Sequence, residues 1–580
     1  GYDSAGIAGF DHGTIKTIKT TGKVSDLMEK AVLAGPSDST CGIGHTRWAT
    51  HGGVTDLNSH PHTHGKVTLI HNGIIENYHE LEMELAKSGR APSSQTDTEI
   101  VALLIDSLYE GDALTAIQEA VNAMKGAFAF CILFEDEPEV IYSVRNASPL
   151  VATLTENGSM IASDIVALIP YSKDYFVLPE MHIAKLTKNK ITVTNWNKEE
   201  IEPIMRHVNW DITAAQKNGY AHFMRKEINE QPDTIQSTIL PRIIKGDLPD
   251  FTVDQIPDSI FKGVNRIIIT ACGTAMHAGL VGRALMEKLL RIPVVVEIAS
   301  EFRYQEPIMD ENTLVITISQ SGETADTLAA LRLAKEKGAV TLSIVNVKGS
   351  TIARESDYVF YTQAGPEIAV ASTKAYTAQL SCIYLLAFKF ALTRGKITET
   401  ECSTYMKDLR NISLAVQKTL ALDKSVEAIC SSLTEAEDLF FIGRGLDYAL
   451  CCEGSIKLKE ISYIHSEAYA AGELKHGTLS LITEGIPVIA LATQSKVYSK
   501  MISNVREVRA RGAMVILITN GKIEIDDTLC DYHIALPEVS DSFAPFTTAI
   551  VLQLIAYHTC VNRGFNVDQP RNLAKSVTVE

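Results

Sequence analysis

The sequence predicts a multi-domain α/β protein: an α+β region first, then two tandem doubly wound parallel sheets. One observation is an internal repeat. SQSGETADTLAALRLAKEKGAVTLSIVN (319–346) aligns with TQSKVYSKMISNVREVRARGAMVILITN (493–520) at the constant offset that separates Gly338 from Gly512, and RIIITACGT (266–274) aligns with LFFIGRGLD (439–447) at nearly the same offset. A second is the texture of each copy. Short Val/Ile-rich runs, typical of strands buried on both faces, alternate with helical patterns that end in Gly, which is the rhythm of a βαβ sheet. The third is contrast: across the first 200 residues, Gly and His punctuate short alternating strands such as GYDSAGIAGF, VTLIHNGII and GAFAFCILF. Only one or two helical stretches, over 76–88 and 97–110, interrupt them, so antiparallel sheets are expected there.

The bulk numbers exclude several classes. At 580 residues the chain holds roughly four domains of about 150 residues, or fewer larger ones. With 70 acidic against 53 basic residues the net charge is −17, which argues against nucleic-acid and membrane-surface partners. No uninterrupted apolar run approaches about 18 residues, and the first residues do not have a signal-peptide pattern. Ten cysteines are scattered without a CxxC, with one vicinal pair at Cys451-Cys452. That usage fits reduced thiols in a cytoplasmic protein.

In the N-terminal region, six of the 16 histidines fall between His45 and His71. Neither HExxH nor CxxC accompanies them, so no metal is expected, and they are read as polar groups lining a pocket or loop. On residue type alone, Trp48 reads as core or interface, and Asn72-Gly73 as a type I′ turn.

The first repeat copy carries VITISQSGETA (315–325) ahead of a helical pattern. A strand, a loop of small hydroxyl residues and a helix start together form an anion cradle. The first N–H groups of a helix have no intrahelical partner, and the dipole favours a phosphate there. Ser319, Gln320, Ser321 and Thr324 add side-chain donors. No GxxxxGK[ST] pattern is present, so the loop suits one phosphate monoester rather than a nucleotide. A plain Ser/Thr cap before a surface helix reads the same way. The second copy replaces Gly and Thr of this loop, so the phosphate is assigned to the first. Thr274 ends another first-copy strand and is expected at the same crevice. Farther on, Glu453, Lys457 and Glu460 fall at i, i+4 and i+7 and share one helical face, as solvated surface charges also would.

At this point the motifs carry a resemblance. GIGHTRWATHG (42–52), HPH (60–62), HNGIIEN (71–77) and TDTE (96–99) resemble class II glutamine amidotransferase domains. SQSGETADTL, VASTKAYT (370–377), EGSIKLKEISYIHSEAYAAGELKHG (453–477) and DQPRNLAKSVTVE (568–580) resemble the sugar isomerase (SIS) part of the glucosamine-6-phosphate synthase family. The resemblance runs along essentially the whole chain. It implies an N-terminal-nucleophile-type α/β/β/α sandwich over residues 1 to about 210. A linker over 211–232, SIS domains over 233–400 and 401–567, and a functional tail over 568–580 follow. The implied reaction makes glucosamine 6-phosphate from fructose 6-phosphate with L-glutamine as ammonia donor, a first step toward UDP-N-acetylglucosamine. No cofactor is implied, and the family works as a homodimer.

Residue by residue, the resemblance implies that Asn72 and the N–H of Gly73 form an oxyanion hole. Arg47 and Asp97 hold the glutamine α-carboxylate and α-amino group. Trp48 gates the ammonia path, and Thr50 and His51 line the pocket. In the isomerase half, Glu460 shuttles a proton between C1 and C2, with Lys457 as its neighbouring cation and Glu453 in the same cluster. His476 opens the sugar ring and is expected to reach the site from the partner subunit. Lys575 forms a Schiff base with the open-chain ketose, and Ser372 is a further sugar contact. Ala275 stands where the family commonly has Ser. The family's nucleophilic Cys precedes the motif that opens this chain, and Cys41 does not replace it, because it matches an internal strand. A preceding segment that carries the nucleophile is the expectation. The alternatives are an isomerase or ammonia-dependent synthase without glutaminase activity, and a phosphosugar-binding regulator without catalysis.

Overall fold

The computed structural model describes residues 3–49, 51–208, 216–244, 246–526 and 528–578. The chain divides into two compact units, Gly1–Thr213 with Arg571–Glu580, and Ala214–Pro570.

The first unit begins with β1 (Ser4–Asp11), β2 (Thr14–Thr21), α1 (Val24–Ala34) and β3 (Gly42–Arg47). Then come β4 (His62–His64), β5 (Val67–Ile75), α2 (Tyr78–Lys87), α3 (Asp97–Leu108), α4 (Ala113–Ala123) and β6 (Gly126–Phe134). It continues through β7 (Ile141–Asn146), β8 (Val151–Thr155), β9 (Gly158–Ala162), β10 (Asp174–Val177), β11 (Ile183–Thr187), β12 (Lys190–Thr194), β13 (Glu200–Ile201) and β14 (Met205–His207). Three antiparallel sheets result, in the orders β13-β12-β11-β7-β6-β5-β4, β14-β10-β8-β9 and β2-β1-β3. Strand β6 shows how the layers arise. Phe128, Phe130, Ile132 and Phe134 point one way, into the core formed with α2, α3 and α4. The alternate residues Cys131 and Leu133 meet Ala8, Phe10 and Ile43 of β1 and β3 on the other face. Successive strand side chains point to opposite faces, so one strand glues a helical layer and a second sheet together. Helix α1 packs on β1 and β2, which completes the α/β/β/α sandwich. Helices α1 and α4 lie outside the two helical stretches expected from the sequence.

The second unit opens with α5 (Phe223–Asn229), α6 (Gln231–Ile239) and a small ladder of β15 (Ile243–Ile244) and β16 (Leu248–Pro249). The first repeat copy follows: β17 (Arg266–Ala271), α7 (Gly273–Leu290), β18 (Val294–Ile298), α8 (Ala299–Phe302), β19 (Thr313–Ser319), α9 (Ala325–Glu336), β20 (Val340–Val345), α10 (Thr351–Glu355), β21 (Tyr358–Tyr361) and α11 (Lys374–Thr393). Helices α12 (Glu399–Leu420) and α13 (Asp423–Cys430) lead to the second copy: β22 (Asp438–Gly443), α14 (Leu446–Ser462), β23 (His465–Ala470), β24 (Pro487–Ala492), α15 (Tyr498–Arg509), β25 (Met514–Asn520), β26 (Tyr532–Leu536) and α16 (Ala544–Asn562). Both copies are five-stranded parallel sheets with the same strand order, β18-β17-β19-β20-β21 and β23-β22-β24-β25-β26. In each, the connection order reverses beside the first strand, and the loops after the first and third strands flank that crevice.

One apolar core runs through both copies and takes in Met224, Ile228, Ile235 and Ile239 of α5 and α6. Helices α11 and α16 are long and apolar enough to cross a membrane, but 89% and 94% of their apolar windows are buried inside the unit. Helix α14 lies close to both β22 and α16 because Gly454 carries no side chain. A Cβ there would fall 2.9 Å from Phe441 and 3.0 Å from Leu552. With that face committed to packing, Glu453, Lys457 and Glu460 are set toward α7.

Candidate active sites

In the second unit the Ser-Gln-Ser-Gly-Glu-Thr loop joins β19 to α9 as a tight cradle. Ser319 Oγ accepts from the Gly322 N–H at 2.9 Å and lies 3.1 Å from Thr324 Oγ1. Ser321 Oγ accepts from the Glu323 N–H at 3.2 Å. Gly322 has φ +66, and a Cβ there would fall 2.0 Å from Ser350 Oγ, so the turn admits only glycine. Glu323 directs its carboxylate to the Thr351 N–H at 2.8 Å, at the start of α10, rather than to the N-terminus of α9. Thr324 is the N-cap of α9, and its side chain makes no capping bond.

Beside the cradle, α7 and α14 bring a charged row together. Thr274 Oγ1 donates to Glu453 Oε1 at 3.3 Å, and His277 Nδ1 lies 2.9 Å from Glu453 Oε2. Lys457 Nζ is 4.0 Å from Glu453 and 2.5 Å from Glu460 Oε2. Side chains of Glu453 and Lys457 are each 1% exposed and that of Glu460 is 22% exposed, so the row ends at solvent on Glu460. Burial alone would discharge Lys457, but Glu460 and then Glu453 outweigh it and hold its pKa above the ordinary lysine value. Ser372 Oγ donates to Glu367 Oε2 at 2.9 Å, and the same carboxylate accepts the N–H groups of Thr373 and Ala375 at the start of α11.

The second copy shows what became of the equivalent cradle. Asp447 stands where the first copy has Thr274. It accepts the Thr493 N–H at 2.8 Å and the Thr493 hydroxyl. Asp541 accepts the Ser495 N–H at 2.8 Å and its hydroxyl at 2.6 Å. Burial pushes the Asp447 carboxyl up to about 6 even against these hydrogen bonds. In the second copy the chain's own carboxylates thus take up donors of this loop.

In the first unit, Asn72 and Gly73 lie inside β5, paired with Ala129 and Phe128 of β6. The turn reading from residue type is therefore wrong: pairing with β6 continues through both residues. Gly73 has φ +144, and a Cβ would fall 2.0 Å from Ala127 O, so close strand approach requires the glycine. The Asn72 amide donates to Thr578 Oγ1 at 3.4 Å. Asp97 opens α3 behind the Thr96 N-cap and accepts the N–H groups of Ile75 at 3.0 Å and Thr98 at 2.9 Å. Buried Arg47, at the end of β3, donates to the carbonyls of His51, Gly52 and Gly53 and thereby folds that loop around itself. Asp97 and Asp3 supply the field that opposes the desolvation of its charge. Trp48 is half-buried just after β3, and the His51 ring meets Tyr78 edge-on at 4.9 Å. Thr50 lies outside the described residues.

Four histidines pack around this region. His45 stacks on His60 at 4.3 Å, and Thr98 Oγ1 lies 3.1 Å from His60 Nε2 and 3.2 Å from His71 Nδ1. His62 Nε2 is 3.1 Å from Thr96 Oγ1. Burial first, and mutual repulsion with charged neighbours second, push His45 to about 3, and His60 is held well below its ordinary value. His62 and His71 fall to about 4, again chiefly through burial. Among the described residues no group of three or more His, Cys, Asp and Glu is arranged to hold a metal ion. Cys41 is half-buried, and burial with Glu139 pushes its thiol up to about 11, which makes it a poor nucleophile.

The glutamine amidotransferase domain family matches residues 49–170, and the SIS domain family matches 260–389 and 432–563. A relative from Clostridium tetani named glutamine–fructose-6-phosphate aminotransferase (isomerizing) is 48% identical over 584 residues, covering 100% of this chain and 96% of its own. One of the same name from Thermus thermophilus is 45% identical over 583 residues, with the same coverage. The chain belongs to the glutamine–fructose-6-phosphate aminotransferase (isomerizing) family. Among solved structures, the C-terminal domain of glucosamine-fructose-6-phosphate aminotransferase from Francisella tularensis matches with a TM-score of 0.59 and 39% identity, covering 61% of this chain and 100% of that one.

Against that family frame, the residues expected from the sequence fall into three groups. Thr274, Lys457 and Glu460 converge through Glu453, with the Ser319–Thr324 loop on the neighbouring strand end. His476 is exposed on a short 3₁₀ turn, Glu473–His476, without a hydrogen bond or ion pair among the described residues. Lys575 is half-buried in the tail that belongs to the first unit. Ala275 packs against the core. His277 and Glu367 were not anticipated. His277 lies one helical turn after Thr274, and that i+3 spacing was the available signal.

Proposed function

We propose that the chain makes glucosamine 6-phosphate from fructose 6-phosphate and L-glutamine, as a cytoplasmic homodimer. The observation that carries this reading is the buried Lys457 ammonium 2.5 Å from the one carboxylate of its row that reaches solvent, Glu460, beside an anion cradle. A phosphate on Ser319, Gln320, Ser321, Thr324 and the α9 N-terminus anchors the sugar. Thr274 and Ser372 contact its hydroxyls. Glu460 then moves a proton between C1 and C2, while Lys457 steadies the negative charge that develops on the sugar oxygens. In this reading His476 comes from the partner subunit to open the ring, and Lys575 forms an imine with the exposed C2 carbonyl and releases water.

In the first unit, glutamine is held by Arg47 and Asp97 in a pocket lined by Trp48, Thr50 and His51. Asn72 and the Gly73 N–H receive the oxyanion that forms as the glutamine side-chain amide is hydrolysed by water to glutamate and ammonia. The ammonia released becomes the amino group of the product. No metal or redox cofactor enters this chemistry.

The test supplies fructose 6-phosphate with glutamine, with ammonium, and with neither. Glucosamine 6-phosphate is expected with glutamine, and glucose 6-phosphate from slow isomerisation when no nitrogen donor is present. Asp97→Ala should impair the glutamine reaction and spare isomerisation, because Asp97 belongs to the first unit and the proton-moving Glu460 to the second. Absence of both aminosugar and aldose would refute the reading, whereas product from ammonium alone would mark an ammonia-dependent synthase.

A further inference from the structure

The charged row does not stop at the residues used above. His277 of α7 reaches across to α14 and holds Glu453 Oε2 at 2.9 Å, while Thr274 holds the other oxygen at 3.3 Å. His277 is 8% exposed and Glu453 1%, so water does not substitute for these donors. Glu453 is itself 4.0 Å from Lys457, which makes its closer contact, 2.5 Å, with Glu460. Two carboxylates therefore compete for one buried ammonium, and the donors on Glu453 decide how strongly it competes. Other groups act on the row. Glu367 adds to the field at Lys457. Cys452, next to Glu453, has its thiol raised chiefly by burial. Tyr376 of α11 has a buried hydroxyl without a hydrogen-bond partner among the described residues, and Glu453 is among the charges that keep it protonated.

We propose that His277 is a positioning residue of the isomerase site: by occupying Glu453 through its Nδ1–H, it keeps the Lys457 ammonium directed at Glu460. This inference rests on the sugar-site reading above. With Nδ1–H donating, Glu453 stays at 4.0 Å and leaves Lys457 to Glu460. Without that donor, Glu453 leans toward the ammonium, and Glu460 loses part of its contact with Lys457. Glu460 would then abstract a proton less readily, and the pH profile of the isomerisation would shift.

The experiment follows isomerisation of fructose 6-phosphate without glutamine, as a function of pH, in full-length variants. In His277→Ala the acid limb of kcat/KM is expected to move up by about half a pH unit or more. The same variant should lose about tenfold in kcat with KM changed less than about twofold. His277→Asn places an amide N–H close to the position of Nδ1 and should restore the wild-type profile. Glu453→Gln removes the competing charge and should move the acid limb the opposite way, downward. That opposite shift is one that lost packing cannot imitate, and it decides the matter even where His277→Ala fails to fold. An unshifted limb in both His277→Ala and Glu453→Gln would overturn the role, as would an effect confined to KM or an Asn variant no better than Ala. Glu460→Gln is the control. If it keeps full isomerase activity, the sugar-site reading itself falls. If it is inactive while the His277 and Glu453 profiles stay wild-type, only the positioning role falls.

Discussion

Acid should unfold the first unit before the second, and the cause is the histidine cluster around Thr96 and Thr98. His62 and His71 are 3% exposed and sit near a pKa of about 4 in the folded chain. A free histidine titrates near about 6.5, so the unfolded state binds these protons first. Because the folded pKa values are depressed, the stabilisation is complete above about pH 6.5 and is lost as pH falls toward about 4. At about pH 5 each costs about 2 kcal/mol, from about 1.5 pH units at about 1.4 kcal/mol each. Together they remove about 4 kcal/mol, a large part of the stability of an ordinary domain. His60 and His45 shift in the same direction. Asp97 and Glu99 oppose part of the loss, since each raises the pKa of a neighbouring histidine. The six histidines of the second unit are spread along the chain from His222 to His558.

The assay is selective, because both tryptophans among the described residues, Trp48 and Trp196, belong to the first unit, and the third, Trp210, lies outside the described residues. Urea unfolding followed by tryptophan fluorescence therefore reports on that unit, while far-ultraviolet circular dichroism is dominated by the helices of the second. Between about pH 7.5 and about pH 5 the fluorescence midpoint should fall steeply and the dichroism midpoint much less. His62→Gln keeps an amide for Thr96 and removes one titrating group, so it should flatten the fall. A fluorescence midpoint independent of pH, or one that moves in step with the dichroism, would refute the reasoning.

Two further outcomes follow from the site geometry. Thr324→Val should weaken binding of fructose 6-phosphate by about 1–3 kcal/mol, the cost of an unmet hydrogen bond to a charged group, and calorimetric titration of the phosphosugar would show it; unchanged affinity would remove the phosphate from this loop. Gly73→Ala should destabilise the first unit by about 2 kcal/mol or more, because a Cβ at φ +144 would sit 2.0 Å from Ala127 O, and a tryptophan-monitored urea midpoint equal to wild type would contradict that contact.

Much of the fold was legible because it is written in periodicity. The repeat offset, the Val/Ile runs of β17, β19, β24 and β25, and the Ser-Gln-Ser-Gly-Glu-Thr loop all carry local signals that tertiary packing preserves. Helix α14 was read from its charges near Glu453, but it begins at Leu446, because its earlier turns are apolar and pack against α16 and β22. Asn72-Gly73 failed as a local reading for a related reason. The dipeptide has turn chemistry, yet pairing with β6 and the near approach of Ala127 override it. The histidine cluster could be counted in the sequence but not built, since stacking of His45 on His60 depends on β3 lying beside β5. His277 was missed because its partner is 176 residues away, on an element of the other repeat copy.

That last pairing joins two copies that have become unequal. Helices α7 and α14 are the same element of the two copies, each following the first strand of its sheet, and they pack against one another. At the repeat offset of residues 274 and 447, Glu453 and Lys457 of α14 correspond to Leu280 and Ala284 of α7, so the first copy has no charges to offer there. Conversely, the crevice of the second copy is closed by Asp447 and Asp541, which take up the Thr493 and Ser495 donors. Glu460 corresponds to Glu287, so the two copies differ at the Glu453 and Lys457 positions of the row and not at its third. A fixed anion at the second crevice also answers a physical need: helix N-termini and loop N–H groups buried without an acceptor are costly, and a carboxylate from the same chain satisfies them at no loss of ligand freedom. In the first copy no such carboxylate is recorded on the Ser319–Thr324 loop among the described residues, and the row of Glu453, Lys457 and Glu460 from the neighbouring copy meets Thr274 and His277 of α7.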